Sequence, residues 1–393
     1  MEILDASSRI QSRVINISSF WGQFAISMVN LALVYHMRLT FGLSAQMVGI
    51  SAAVYTSTYF ISCIVLGPLA SRMRPRHSVV LSVMGMAAAI ALVSLTRQVV
   101  IAFIALVLYG IAMSFLWPQI EEWLARGKEG RQLNRATSSF NVSWSIGTAL
   151  SPLIAGLLLE RNIRAPLVLG IGVFIAIGIL IVSATRLVPA IRAVTSEHTS
   201  LQGSTQVDAS TPLRFLSWAG VLTVYASLAV TLTIFPLHAM DHLPFTQSVV
   251  GVLLLIRGLA TVAMFIVMGK TSIWHFNRTW VILTQILVAV LCLWGMNING
   301  FISYTLFFFL FGILFAMAYS FSIFHGASGS INRSSRMLIH EILLTIGTVL
   351  GSVVGGTLYE YIDYNMVLTA CAVLVLIPVA GTLINSLFSK VVH

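Results

Sequence analysis

The chain alternates long apolar runs with short polar punctuation. A helix needs about 20 mostly apolar residues to cross a bilayer. Twelve such runs follow one another, near 14–37, 45–69, 78–96, 99–120, 136–159, 165–187, 214–237, 246–268, 279–297, 300–324, 336–359 and 365–388. They are continuous, not alternating with period two over about ten residues, which predicts helices and excludes barrel strands. The first run is too long for the core of a cleavable signal and has no small-residue cleavage site, so a retained span is expected. One stretch breaks the rhythm. Pro189 to Pro212 is polar and rich in Ser, Thr and Gln, and reads as a flexible cytoplasmic linker. The pattern predicts an all-α integral membrane protein with a six-helix bundle over 1–188, a linker over 189–213 and a second six-helix bundle over 214–393.

Composition sharpens this picture. Of 393 residues, 58% are hydrophobic and 9% charged, against about 25% charged in a soluble domain. That is too few charges to coat a water-facing surface, so the outer surface must face lipid. The formal charge is +10, but the basic residues sit in short runs between apolar blocks, not on an aromatic-interleaved basic face. No nucleic-acid partner is expected. With the N-terminus placed inside, seventeen of the 22 Lys and Arg residues fall on the inner side and four outside, and Arg257 lies within a span. This bias puts both termini in the cytoplasm of a cell (inner, cytoplasmic) membrane protein, and an odd number of spans would scramble it. Cys63, Cys292 and Cys371 lie inside apolar runs without a CxxC spacing, so buried thiols are expected and no disulfide framework or metal site. The N-glycosylation pattern at Asn16, Asn141, Asn277 and Asn332 falls in spans or cytoplasmic segments and carries no weight.

Glycines reveal an internal repeat. Gly49 and Gly67 recur as Gly251 and Gly269 at an offset of 202, and Gly110 recurs as Gly312 at the same offset. In spans five and eleven the offset is 200: IGTAL at 146–150 recurs as IGTVL at 346–350, and Gly156, Leu158 and Glu160 recur as Gly356, Leu358 and Glu360. Three pairs of spans in the same order imply duplication, as in many transporters.

These features resemble the major facilitator superfamily along the whole chain. The segment GPLASRMRPRHSV at 67–79, with Gly67, Arg72 and Arg76, is similar to that superfamily's cytoplasmic signature. Ser71 stands where the signature has Asp and Arg74 where it has its second Gly, so the usual Asp-mediated charge relay cannot operate unchanged. Span five carries Gly147, Ser151, Pro152, Ala155 and Gly156, resembling the antiporter signature with Ser and Ala in place of two glycines; span eleven repeats it as Gly347, Gly351, Ser352, Gly355 and Gly356. The resemblance implies two pseudo-symmetric bundles rocking about a central cavity, lined by spans one, four, seven and ten, in a monomer without cofactor. Independently of it, glycines at i, i+4 and i+8 make a flat helix face for close approach, and Pro152 removes a backbone bond and kinks its helix.

Polar residues within spans are costly, about 2.5–3.5 kcal/mol for a charge on insertion scales, and so mark candidate sites. Arg257 is central in span eight and either binds an anionic group or pairs with a buried acid. His340 and Glu341 lie near the cytoplasmic end of span eleven, where Glu341, Thr345, Thr348 and Ser352 form one stripe. A buried carboxylate suits reversible proton binding, and Glu341, expected to be buried, is the leading proton-coupling candidate; the alternative is a gate partner for Arg336 or Arg72. Residue 344 is Leu, so the zinc-protease HExxH is absent. Glu121 and Glu122 follow Trp117 and Pro118, where a kink is expected, and suit pairing with loop arginines. Gln23, Ser27 and Asn30 share a face of span one. The candidate cavity set is Gln23, Asn30, Trp117, Trp144, Tyr225, Thr231, Arg257, Tyr319 and Ser322, each of which could instead serve helix–helix hydrogen bonding.

No GxxxxGK[ST] or GxSxG pattern is present, so neither ATP-driven transport nor serine hydrolysis is expected. The leading reading is a secondary active transporter, not an enzyme, exporting small amphipathic molecules with protons as the coupling ion. The alternatives are a facilitator or importer of an organic anion or sugar, a substrate-sensing receptor that no longer transports, and an intramembrane lipid enzyme.

Overall fold

A computed structural model describes residues 2–70, 72–125, 130–187, 208–331 and 333–391, with side chains left undescribed at 2–9, 122, 125, 130–135, 137–138, 185–187, 333–334 and 383–391. Ser71 and the linker up to residue 207 therefore lie outside the described residues, as does the Glu122 side chain. The chain is helical throughout: α1 (Glu2–Phe41), α2 (Ala45–Ala70), α3 (Pro75–Leu95), α4 (Val99–Met113), α5 (Trp117–Ala125), α6 (Gly130–Arg161), α7 (Ala165–Leu187), α8 (Leu213–Ala229), α9 (Phe235–His242), α10 (Gln247–Lys270), α11 (Arg278–Gly295), α12 (Phe301–Ala327), α13 (Arg333–Tyr361) and α14 (Tyr364–Val391). Among the described residues, twelve stretches of helix are long and apolar enough to cross a membrane, starting with Ile10–Phe41 and ending with Tyr364–Thr382. The spans expected from the sequence are recovered with shifts of a few residues.

Two spans are not simple helices. The fourth, Val99–Glu121, opens at Ser114–Leu116 before α5 begins at Trp117. The bend expected at Pro118 thus falls one turn earlier. A proline suits the first turn of a helix, where its missing N–H leaves nothing unpaired. The seventh span, Leu213–His242, holds a π-helical turn over Val230–Ile234 between α8 and α9. The sixth helix, by contrast, runs on through Pro152.

The helices group into two compact units. One holds α1, α2 from Val54 onward, and α3 to α7. In it Gly147 of α6 faces α1, so that a Cβ there would strike the carbonyl oxygen of Phe20 and lie 3.1 Å from the Phe24 nitrogen. Gly110 of α4 faces α2, with its Cβ position 2.5 Å from the Tyr55 oxygen and 2.9 Å from Thr58 Cβ. Between α1 and α6, Asn16 donates to Ser139 Oγ at 2.6 Å. Ser78 and Ser82 of α3 donate to the carbonyls of Phe115 at 3.1 Å and Ala112 at 2.6 Å, satisfying backbone groups where the fourth span opens.

The other unit holds α8 to α14 and the first turns of α2, up to Ala53. Its close approaches repeat those of the first. Gly347 of α13 meets the Leu222 carbonyl and the Ala226 nitrogen at 3.2 Å, and Gly312 of α12 meets the Arg257 carbonyl and Ala260 Cβ at 3.0 Å. Each of these α8 and α10 partners is its counterpart in the first unit plus 202: Phe20 becomes Leu222, Phe24 becomes Ala226, Tyr55 becomes Arg257 and Thr58 becomes Ala260. The duplication read from glycine spacing is thus visible contact by contact.

Along α13 the glycine face continues. Gly351 abuts the Ala226 backbone and Gly355 abuts Val230 and Ile234, so one face steps along the seventh span into its π-helical turn. A buried part of α13 also receives the start of α2. The Ala45 N–H donates to the Glu360 carboxylate at 2.7 Å, and Gly49 lies against the Ser352 carbonyl. A carboxylate at a helix N-terminus both satisfies an orphan donor and complements the helix dipole.

At the opposite end, His325 of α12 anchors the α10–α11 loop. The Phe276 N–H donates to His325 Nε2 at 3.2 Å, while Nδ1 lies 2.8 Å from Ser217 Oγ. Nε2 is therefore the acceptor and Nδ1 carries the proton. Phe276 has φ 52°, a left-handed conformation that a non-glycine residue holds only when its surroundings impose it. Replacing His325 with Phe leaves the Ser217 hydroxyl and the Phe276 N–H unpaired, at a cost of about 1–3 kcal/mol each. We expect a lowered melting temperature and faster amide exchange over 271–277. Unchanged exchange there would remove His325 from this role.

Candidate functional site

The predicted residues that the structure gathers lie in the second unit. Arg257 projects from the middle of α10 and is 4% exposed. Its Nε is buried and makes no hydrogen bond, and among the described residues no carboxylate lies within ion-pair distance of it. Tyr225 of α8 is within electrostatic reach of Arg257, Tyr319 and Glu341. Rings enclose this group: Tyr225 lies 5.2 Å from Phe315 and 6.3 Å from Tyr319, and Tyr319 lies 5.5 Å from Phe265.

His340 completes one wall. It is 1% exposed, its Nδ1 is 2.7 Å from Ser322 Oγ, and its ring stands edge-on to Tyr319 at 5.0 Å. Its Nε2 is buried without a partner. Glu341, one residue on, is exposed where His340 is buried, because adjacent helical positions point about 100° apart. The stripe predicted from Glu341 to Ser352 thus runs from an exposed carboxylate to a buried hydroxyl. Thr231, within the π-helical turn, is buried and spends its hydroxyl on the Leu228 carbonyl at 2.8 Å.

Arg336 does not serve as the partner of Glu341. It pairs with Asp208 at 3.5 Å and lies over the Trp218 ring at 5.8 Å. The Ser210 hydroxyl, first, with its backbone N–H, Arg336 and Arg214, holds the Asp208 carboxyl below its ordinary range. A carboxyl depressed on folding contributes stability above its unfolded pKa and loses it as pH falls through the folded value. Asp208 is exposed and Arg336 partly exposed, so solvent screens the pair and it is worth little. We expect Asp208→Asn to leave the melting temperature unchanged at neutral pH, as a thermal scan would show.

The remaining candidates lie in the first unit. Gln23 donates to Ser27 at 3.2 Å within α1, and the Asn30 Oδ1 is buried without a partner. Trp117 stacks edge-on to Phe140 at 6.3 Å, and Trp144 donates to Asn141 Oδ1 at 3.1 Å. Glu121 is exposed. At the offset of 202, Gln23 corresponds to Tyr225 and Trp117 to Tyr319, so two candidate pairs occupy equivalent places. Tyr55, equivalent to Arg257, was missed by sequence reasoning. It faces Tyr109 at 5.9 Å, and the glycine offset could have found it. Among the signature residues, Gly67 has open space where a Cβ would be, Arg72 is exposed, and Arg76 is partly exposed.

A duplicated bundle of membrane-length helices with buried polar groups within its spans defines a polytopic membrane protein. The sequence profile described as Major Facilitator Superfamily matches residues 15–330. The chain belongs to the major facilitator superfamily, and it is a multi-pass membrane transporter of small substrates. Solved structures share the fold at low identity. The nucleoside transporter NupG is 14% identical with a TM-score of 0.75, covering 94% of this chain and 98% of that one. The peptide transporter POT in complex with sulfate is 13% identical with a TM-score of 0.73, covering 94% of each chain. A bacterial homologue of the human lysosomal transporter Spinster, inward-facing and occupied, is 11% identical with a TM-score of 0.74, covering 95% of this chain and 96% of that one. No curated protein matches the sequence.

Proposed function

We propose that this transporter carries a small organic anion by alternating access, with Arg257 as the anion-binding group. The observation behind this reading is a guanidinium buried at mid-span with an unpartnered Nε and no described acid at ion-pair distance. A buried charge left uncompensated is costly, and a substrate carboxylate or phosphonate would supply the missing partner. The planar fork of Arg suits two parallel hydrogen bonds to such a group. Tyr225 and Tyr319 offer hydroxyl donors, and Phe265 and Phe315 offer apolar area for the rest of the substrate. Counterflow of labelled organic anions and neutral analogues into proteoliposomes tests this. Uptake of anions alone is expected, and equal uptake of neutral analogues would overturn the reading.

A second reading, proton-coupled efflux, is favoured by Glu341, which lies within electrostatic reach of Tyr225. A proton bound there would change the charge seen by the substrate group, linking the two fluxes. Flux that is unchanged when an uncoupler dissipates the gradient would remove it. On either reading, the halves 1–188 and 214–393 act as the moving bodies of a monomer in the cell membrane, with both termini in the cytoplasm. Glycine faces serve as sliding contacts. His340 would contribute through Ser322 and Tyr319, and Gln23, Asn30, Trp117 and Trp144 would serve the first half.

A further inference from the structure

A cleft of about 690 Å³ opens on the second unit among the start of α8, the α10–α11 loop with the start of α11, and the late turns of α14. It plays no part in the site around Arg257. Leu213, Phe215, Leu216, Phe276 and Pro378 give it apolar walls, and Arg278 stands among them. Leu213 and Arg278 are the first residues of their spans. The cleft therefore sits at the level where hydrocarbon gives way to headgroups. Phe215 and Phe276 are 59% and 58% exposed along it, an arrangement a water-facing surface would not keep but an acyl chain would cover.

The charge at its rim is of one sign. Arg278 Nη2 donates to the Thr382 carbonyl at 3.0 Å, which fixes the guanidinium and leaves its other donors available. Arg214, between the lining residues Leu213 and Phe215 in the chain, lies 4.6 Å from the centroid of the Phe215 ring; its Nη1 donates to the Thr211 carbonyl at 3.3 Å and its Nε is buried and unpartnered. Asp208, within electrostatic reach of Arg214, is already engaged by Arg336 and Ser210. Among the described residues, none that lines the cleft is acidic. The N-terminus of α11, an 18-residue helix, adds the positive end of its dipole beside Arg278.

We infer that this cleft is a binding site for an acidic phospholipid, with one acyl chain along the apolar walls and the phosphate headgroup held by Arg278 and Arg214. Basic pockets between spans recognise anionic headgroups by this combination. A zwitterionic lipid fills the same walls but gains less at the rim.

Native mass spectrometry of the full chain, incubated with equal amounts of phosphatidylglycerol and phosphatidylcholine of identical acyl chains, tests the inference. Wild type should retain phosphatidylglycerol preferentially. Arg278→Gln and Arg214→Gln should each reduce that preference roughly fivefold, and Arg278→Lys, which keeps the charge, should retain most of it. Ala219→Phe narrows the cleft without touching the charge and should lower retention of both lipids. Equal retention by wild type overturns the site, as does a preference that survives the double glutamine variant. Retention of neither lipid by wild type also overturns it, because the cleft is then filled by the chain itself.

Discussion

Replacing Arg257 with Met is expected to abolish recognition of anionic substrates while raising the melting temperature of the empty transporter. The two effects have one cause. Arg257 sits 4% exposed in α10 with its Nε unpaired. Without a bound anion it carries a desolvation cost that no described carboxylate offsets. An apolar side chain of similar reach removes that cost, and exchanges of this kind stabilise proteins by about 1–4 kcal/mol. With substrate present, losing the charge forfeits a desolvated pair worth about 2–5 kcal/mol, roughly thirtyfold to several thousandfold in affinity. Ligand-induced thermal shift on both proteins measures both quantities. A lower melting temperature for Arg257→Met without ligand would mean that Arg257 already has a structural partner, and the anion reading would fall. Arg257→Lys separates charge from shape. It keeps the charge but loses the fork, so binding should weaken without vanishing.

What the sequence could announce followed from what lipid demands. Hydrocarbon leaves no choice but long apolar helices with satisfied backbones, so twelve spans were legible in hydropathy. The duplication was legible because close contacts between helix backbones admit only small residues, and the contacts at Gly110 and Gly312 preserve that requirement at matching positions. The seventh span hid its π-helical turn because VTLTI, although four of its five residues are β-branched, does not interrupt the apolar run, and Pro236 lies just beyond it. The break in the fourth span precedes its proline, where the buried hydroxyls of Ser78 and Ser82, distant in sequence, donate to the carbonyls of Phe115 and Ala112. Pairings set by tertiary approach stayed hidden for the same reason. Arg336 found Asp208 in the linker, and His325 found the backbone of Phe276. The Arg257 candidate was legible as a charge among apolar residues. Its ring of Tyr225, Tyr319 and Phe315 comes from α8 and α12, whose approach no local pattern encodes.

Alanine at Gly351 is expected to destabilise the fold severely, whereas alanine at Gly67 leaves it intact. At Gly351 a Cβ would collide with the Ala226 carbonyl and lie 2.7 Å from its carbon and 2.8 Å from its Cα. These are backbone atoms of α8 and cannot rotate away, so the two helices must separate along the whole face from Gly347 to Gly355. Overpacking typically costs about 1–3 kcal/mol, and a rigid backbone neighbour places this site at or beyond the upper end. Gly347→Ala and Gly147→Ala, which meet equivalent carbonyls at Leu222 and Phe20, should behave alike. Gly67 has nothing within 4 Å of the added atom, and it lies inside α2. Alanine there should gain up to about 1 kcal/mol of helix propensity. Thermal unfolding in detergent of the four variants measures the contrast, and similar melting temperatures throughout would refute the packing argument. Transport by Gly67→Ala then carries separate information. A variant that is stable but inactive would mean that Gly67 is needed for a contact made elsewhere in the transport cycle.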